Sequence, residues 1–219
     1  MVKFIEGGKV LTKAYPLATS CIILAGGKGL RLGHDKVTVT VGNSSLLQNV
    51  ISRVSPLCQD IVVVAAREQN VPLLGSAPKA RVVTDVFPDM GPLGGIYTGL
   101  KASGSFYNIV VASDMPFLNI ALLGYMAQLA TGFDMVVPRL GVFTEPLHSV
   151  YTAECLAPAE NLLKQGQLSV NRLLGMVRVR YVAEEEIDRF DPQHRSFFNI
   201  NTRADLERAR EMASREEEQ

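Results

Sequence analysis

Short β-branched runs recur along this chain, each followed by a longer stretch whose apolar positions fall on one helical face. That alternation predicts parallel strands joined by crossover helices. Strands are expected at 21–24 (CIIL), 61–65, 81–84, 107–112 (YNIVVA) and 134–137. Ser44 or Ser45 caps a predicted helix reaching about Val54, a second helix runs from Leu118 to about Leu129, and a third covers 153–164. A Thr-x-x-Asp start at Thr202 opens the last helix, which ends in the acidic, frayed run REEEQ. Residues 1–18 read as an irregular extension and 19–219 as one domain, with no repeat or low-complexity linker. The fold class is α/β, and ligands are expected beyond the carboxyl ends of the strands.

Composition narrows the partners. The chain has 219 residues, 47% of them apolar and 20% charged, enough to bury a sizeable core. Its 22 Lys and Arg balance 22 Asp and Glu, so there is no basic field of the kind that non-specific nucleic-acid binding needs. Cys21, Cys58 and Cys155 lack C-x-x-C spacing and read as buried thiols of a reducing compartment. The apolar runs are too short to span a bilayer, and the charged first residues do not resemble a signal peptide. The expectation is a cytoplasmic protein that engages neither nucleic acid nor membrane.

The loop after the first strand carries candidate chemistry. In Ala25-Gly26-Gly27-Lys28-Gly29-Leu30-Arg31-Leu32-Gly33-His34-Asp35-Lys36, glycines let the backbone curl and aim N–H groups at an anion. Lys28, Arg31 and Lys36 add three cations within nine residues. The spacing does not fit a Walker A loop, and a dinucleotide fingerprint fits poorly because alternating VTVTV follows, not a helix. A nucleoside triphosphate matches this charge. The plainer reading is a solvated loop, which its place after the first buried strand disfavours.

Asp85 closes the third strand and Asp114 follows the fourth, in Ser113-Asp114-Met115-Pro116. A carboxylate on that edge suits Mg²⁺ arriving with substrate phosphates. Alone, either Asp reads better as a cap or turn residue. Sharing an edge with the cationic loop, the pair favours a metal-nucleotide site. Between them, Asp89-Met90-Gly91-Pro92-Leu93-Gly94-Gly95-Ile96 places glycines where a helix starts and a ligand can approach backbone closely.

These segments together resemble the molybdenum cofactor guanylyltransferases, within the wider nucleotidyltransferases. The resemblance covers about residues 20–210 and rests on LAGGKGLRLGHDK at 24–36, DVFPDMGPLGGI at 85–96, SDMPFL at 113–118, VPRLGVFTEPLHSVY at 137–151 and FFNINTRADL at 197–206. The loop and Asp-Met-Pro mark the superfamily; Leu-Ala-Gly-Gly and Gly-Pro-Leu-Gly-Gly-Ile point to the guanylyl branch. The resemblance implies a Rossmann-like three-layer α/β/α fold with a mostly parallel sheet. It implies transfer of GMP from GTP to the terminal phosphate of molybdenum-molybdopterin, with Mg²⁺ as cofactor. It also implies transient contact with molybdenum-insertion or molybdoenzyme-maturation proteins.

Carried over by position, the backbone of Leu24, Ala25, Gly26 and Gly27 lines the guanine and phosphate site, and Lys36 binds phosphate. Asp85 contacts the nucleotide and Asp114 binds Mg²⁺. Asn199 and Asn201 match the closing Asn-x-Asn-Thr on the substrate side. An Asn that some relatives carry at the end of the second strand is Val64 here.

The expected chemistry is in-line attack by a phosphate oxygen on the α-phosphorus, where positioning and charge neutralisation outweigh any protein nucleophile. Lys36 neutralises the triphosphate, and Arg31 and Lys28 assist the departure of pyrophosphate. An ionised phosphate needs no general base, so His148 takes a structural or pterin-side role, while His34 and His194 are solvated. Lys164, Arg172, Arg178 and Arg180 read as surface charges, and 166–172 is the candidate pterin contact. Three alternatives stand beside this reading. One is a nucleotidyltransferase using CTP or another acceptor. Another is an NADP-dependent oxidoreductase gripping the 2′-phosphate through Arg67, and the third is a nucleotide-binding module without catalysis.

Overall fold

The computed structural model describes residues 2–6, 9–13, 18–25, 39–66 and 79–217. Gly26, Gly27, Lys28, Arg31, His34, Lys36 and Arg67 therefore lie outside the described residues.

The amino-terminal extension corrects the expectation of irregular chain. β1 (Val2–Glu6) and β2 (Lys9–Lys13) pair antiparallel in the register Val2 to Lys13. Each strand carries apolar or β-branched residues at alternating positions, the sequence signal of a strand.

The central strands are the apolar runs. β3 (Thr19–Leu24), β6 (Asp60–Ala65), β7 (Ala80–Thr84) and β8 (Tyr107–Ala112) all run parallel, in the order β8-β3-β6-β7. Period-two alternation sends their side chains to opposite faces. Cys21, Ile23, Ile61, Val63, Ile109 and Val111 pack on one side, with α1 (Leu46–Val54) and α3 (Ile120–Leu129). Ile22, Leu24, Val62, Val64 and Val110 pack on the other, with α2 (Gly91–Ala102) and α4 (Leu156–Lys164). Burial on both faces explains why β3, β6 and β8 are almost wholly apolar, while β7, at the sheet edge, is largely exposed; the layers are α/β/α with a parallel centre.

Beyond β8 the sheet turns antiparallel. β9 (Met135–Leu140), β10 (Phe143–Thr144) and β11 (His148–Thr152) extend it in the order β10-β9-β11-β8, and β12 (Val179–Val182) pairs parallel with β9. Because β11 runs against β8, the start of β11 lies at the same edge as the end of β8: Ala112 N donates to Leu147 O at 3.0 Å.

Local chemistry sets the helix starts. Ser45 Oγ accepts from Gln48 N while Gln48 Oε1 accepts from Ser45 N, a reciprocal cap at the expected place. It follows the small hairpin of β4 (Thr40–Val41) and β5 (Ser44–Ser45), turned at Gly42 with φ 62°. α3 starts at Ile120, two residues after the expected Leu118, and Asn119 caps it, accepting from Leu122 N at 3.0 Å. Its amide also donates to Phe190 O at 2.8 Å and its backbone N to Ser196 Oγ at 2.9 Å, tying the carboxyl-terminal segment to α3. After the short helices α5 (Val170–Leu174) and α6 (Glu184–Ile187), that segment leads into α7 (Arg203–Glu217), where Thr202 Oγ1 accepts from Asp205 N. A small cluster of Val39, Val41, Leu46, Phe117, Ile200 and Ala209 holds α7 against the domain.

Candidate functional site

A cleft of about 670 Å³ opens at the carboxyl ends of β3, β6, β7 and β8, a size suited to a small-molecule ligand. Its wall contains Leu24 and Ala25 at the end of β3, Val64 to Ala66 at the end of β6, Asp85 just after β7, and Ala112 to Met115 at the end of β8. Backbone hydrogen bonds hold these ends together: Ala25 N donates to Val64 O at 2.8 Å, Asp85 N to Ala65 O at 2.9 Å and Ser113 N to Leu24 O at 3.1 Å.

α2 begins at this cleft. Pro92 stands in its first turn, no side chain caps it, and Gly91, Pro92 and Gly95 line the cleft, so backbone forms much of this wall. Asp89 reaches the same wall from the turn before it, with φ 65° in the left-handed region. Asp85 serves the loop as well as the cleft. Its Oδ1 accepts from Phe87 N at 2.9 Å and from Thr98 Oγ1 at 2.8 Å, so the capping role and the ligand-facing position coexist in one carboxylate.

Asp114 lines the cleft at the end of β8. Ile200 N donates to Asp114 O at 3.0 Å, which brings Asn199 into the same wall. Asn201 does not follow: it is exposed, with its backbone N donating to Asp205 Oδ2 at the start of α7. Sequence reasoning did not single out Glu145 and Leu147, which complete this end of the cleft. Burial, the Leu147 N hydrogen bond notwithstanding, pushes the Glu145 carboxyl above its usual range, and the neighbouring Asp114 charge adds to the rise.

The basic residues of the second half are engaged elsewhere. Arg178 forms a two-pronged pair with Asp134, Arg180 meets Glu186 at 2.7 Å, and Lys164 meets Glu160 at 3.3 Å. None of them, and no residue of 166–172, lines the cleft. His194 is not simply solvated, since its Nε2 lies 2.7 Å from Asp188 Oδ1. His148 is fully buried and faces the Phe197 ring, with centroids 4.8 Å apart. The three cysteines are free and buried. Among the described residues no cluster of three or more His, Cys, Asp or Glu is arranged to hold a metal by itself, and no helix is long and apolar enough to cross a membrane.

Residues 21–182 match the family model described as the MobA-like NTP transferase domain. The chain is 34% identical to a probable molybdenum cofactor guanylyltransferase of Pelotomaculum thermopropionicum, covering 90% of this chain and 94% of the relative. It is 37% identical to the molybdenum cofactor guanylyltransferase of Syntrophotalea carbinolica, covering 87% and 90%. Among solved structures, the molybdopterin-guanine dinucleotide biosynthesis protein A of Archaeoglobus fulgidus superposes with a TM-score of 0.78 at 30% identity, over 90% of this chain and 99% of that one. A 2-C-methyl-D-erythritol 4-phosphate cytidylyltransferase of Thermus thermophilus shares the fold alone, with a TM-score of 0.67 at 17% identity. With the matched residues including every cleft-lining residue except Asn199, the chain belongs to the MobA-like NTP transferase family.

Proposed function

We propose that this protein transfers GMP from GTP to the terminal phosphate of molybdenum-molybdopterin, releasing pyrophosphate and forming the guanine dinucleotide cofactor. The observation that carries this reading is the single cleft wall that joins Asp114 to Asn199 through the Ile200–Asp114 hydrogen bond, at the edge where the glycine-rich loop begins. The names of the relatives supply the base and the acceptor.

An acceptor phosphate oxygen forms a bond to the α-phosphorus of GTP as the bond from that phosphorus to the bridging oxygen of pyrophosphate breaks. The attacking phosphate is already ionised near neutrality, so no general base is required. Burial of His148 away from the cleft agrees with that economy. The wall of Leu24, Ala25, Gly91 and Gly95 holds the nucleotide against backbone, and Lys28, Arg31 and Lys36 balance its charge. Asp114 offers hard oxygen donors, and one carboxylate supplemented by substrate phosphates is a donor set that suits Mg²⁺. That ion, when bound, supplies charge withdrawal from the triphosphate.

We assign the activity to the cytoplasm, a reading supported by three unpaired buried thiols. Proteins that insert molybdenum or mature molybdoenzymes are the proposed transient partners.

The test is pyrophosphate release with molybdenum-loaded molybdopterin, Mg²⁺ and each nucleoside triphosphate in turn. Release with GTP alone is expected; equal release with CTP would reduce the assignment to nucleotidyl transfer in general. Asp114→Ala is expected to lower Mg²⁺-dependent turnover by about 100-fold or more, and full activity in that variant would remove Asp114 from the mechanism.

A further inference from the structure

The cleft has two ends with different chemistry. The end formed by β3, β6 and β7 holds Ala25, from which the glycine-rich sequence continues, and the start of α2, as a nucleotide requires. Asp114 marks the middle, at the close of β8. Beyond it lie Glu145, Leu147 and Asn199, from the antiparallel strands and the carboxyl-terminal segment. An acceptor approaching the α-phosphorus from the side opposite pyrophosphate meets this second end.

Glu145 is held there by its own backbone. Its N donates to Pro138 O at 3.1 Å, and its O accepts from Ser149 Oγ at 2.7 Å and from His148 N at 3.2 Å. The following residues are fixed too, with Tyr151 Oη donating to Pro146 O at 3.0 Å and Ala112 N donating to Leu147 O at 3.0 Å. Such restraint preorganises a side chain instead of leaving it to sample solvent. One carboxylate oxygen, Oε1, accepts from Leu147 N at 3.1 Å. The other accepts from no described residue, although the side chain lines a half-buried wall.

A carboxylate in that position cannot welcome the acceptor's phosphate, because like charges repel. It can accept from N–H donors, and the 2-amino-4-oxopyrimidine edge that pterin and guanine share offers two of them side by side; its place at the end of the cleft away from α2, and not the edge itself, assigns Glu145 to the pterin. We infer that Glu145 is the acceptor-recognition residue of this cleft, accepting hydrogen bonds from the amino and ring N–H donors of the pterin. The inference builds on the guanylyl-transfer reading and names the residue that selects its acceptor. Leu147 supplies an apolar wall for the ring and Asn199 a carboxamide beside it.

The experiment compares wild-type protein, Glu145→Gln and Glu145→Ala in two measurements. The first is the KM for molybdopterin and for GTP from pyrophosphate release. The second is direct calorimetric binding of GTP in the presence of Mg²⁺, which reports on the fold and the nucleotide end without turnover. Loss of a charged hydrogen-bond acceptor is expected to raise the KM for molybdopterin about 10- to 100-fold in the Ala variant, and by less in Gln. The KM for GTP, its calorimetric affinity and the Mg²⁺ requirement are expected to stay within about twofold of wild type. An unchanged molybdopterin KM in both variants would overturn the inference while leaving guanylyl transfer intact. A weakened GTP or Mg²⁺ response would overturn it in favour of a nucleotide-side role. If wild-type protein binds GTP yet releases no pyrophosphate with molybdopterin, the functional reading itself fails and this inference falls with it.

Discussion

His148 is a buried imidazole in a strand next to the ligand edge, and neither ring nitrogen finds a hydrogen-bond partner among the described residues. Burial lowers its pKa from 6.5 to about 4, with its own backbone and the Asp191 charge opposing weakly. The folded protein therefore binds fewer protons at this site than the unfolded chain, which protonates near 6.5. Stability is full above that value, declines as pH falls below it, and stops declining from this source below about 4. A difference of that size corresponds to roughly 3 kcal/mol across the window. Urea unfolding at a series of pH values is expected to show this loss in wild type and a flatter profile in His148→Leu. Equal slopes in the two proteins between pH 6.5 and 4 would contradict the assignment. The residue's appearance in the sequence, in a Pro-Leu-His-Ser run, excludes catalysis only by chemical reasoning; its burial supplies the physical ground.

At the scale of elements, α2 approaches β3 more closely than side chains ordinarily permit. A Cβ at Gly99 would lie 2.2 Å from Ile22 Cγ2, on a β-branched side chain that is itself fully buried. Ile22 has little rotameric freedom with which to yield. Gly99→Ala is thus expected to destabilise the fold by about 1–3 kcal/mol through overpacking, measured as a lower midpoint of urea unfolding. An unchanged midpoint would show that the helix can slide away at no cost. Because α2 also lines the cleft, weaker GTP binding should accompany the loss. The inner parallel strands β3, β6 and β8 could be read from the sequence because burial on both faces leaves them almost wholly apolar. β11 could not: His148, Ser149 and Thr152 are buried in it, and polar residues disguise a covered strand as a loop. Glu145 was missed for a related reason. Attention to carboxylates following parallel strands finds Asp85 and Asp114, whereas Glu145 precedes an antiparallel strand whose beginning reaches the same edge. Asn199 was legible as a motif, but only the Ile200–Asp114 hydrogen bond explains why it enters the cleft while Asn201 does not.

Across the whole molecule, a net charge of zero hides a division of sign. The charged residues that line the cleft among those described are all acids: Asp85, Asp89, Asp114 and Glu145. The cations Lys28, Arg31 and Lys36 belong to the loop that leaves β3. A triphosphate accompanied by Mg²⁺ bridges the two signs, bringing anionic oxygens to the loop and positive charge to Asp114. It also touches the ends of four strands whose order in the sequence is scattered over about 90 residues, from Leu24 to Asp114. Binding to the folded state alone should therefore stabilise the domain as a unit. At a GTP–Mg²⁺ concentration 100 times the dissociation constant, linkage predicts about 2.7 kcal/mol, or a rise in Tm of about 5–10 °C for a chain of this size. GTP without Mg²⁺ should give a smaller shift, because the carboxylates then face an uncompensated polyanion. Asp114→Asn removes one of those carboxylate charges and should narrow the gap between the two conditions. Thermal unfolding of both proteins with GTP, with Mg²⁺ and with the two together checks this; a shift in wild type that is indifferent to Mg²⁺ would mean that the acidic wall does not share its ligand with the basic loop.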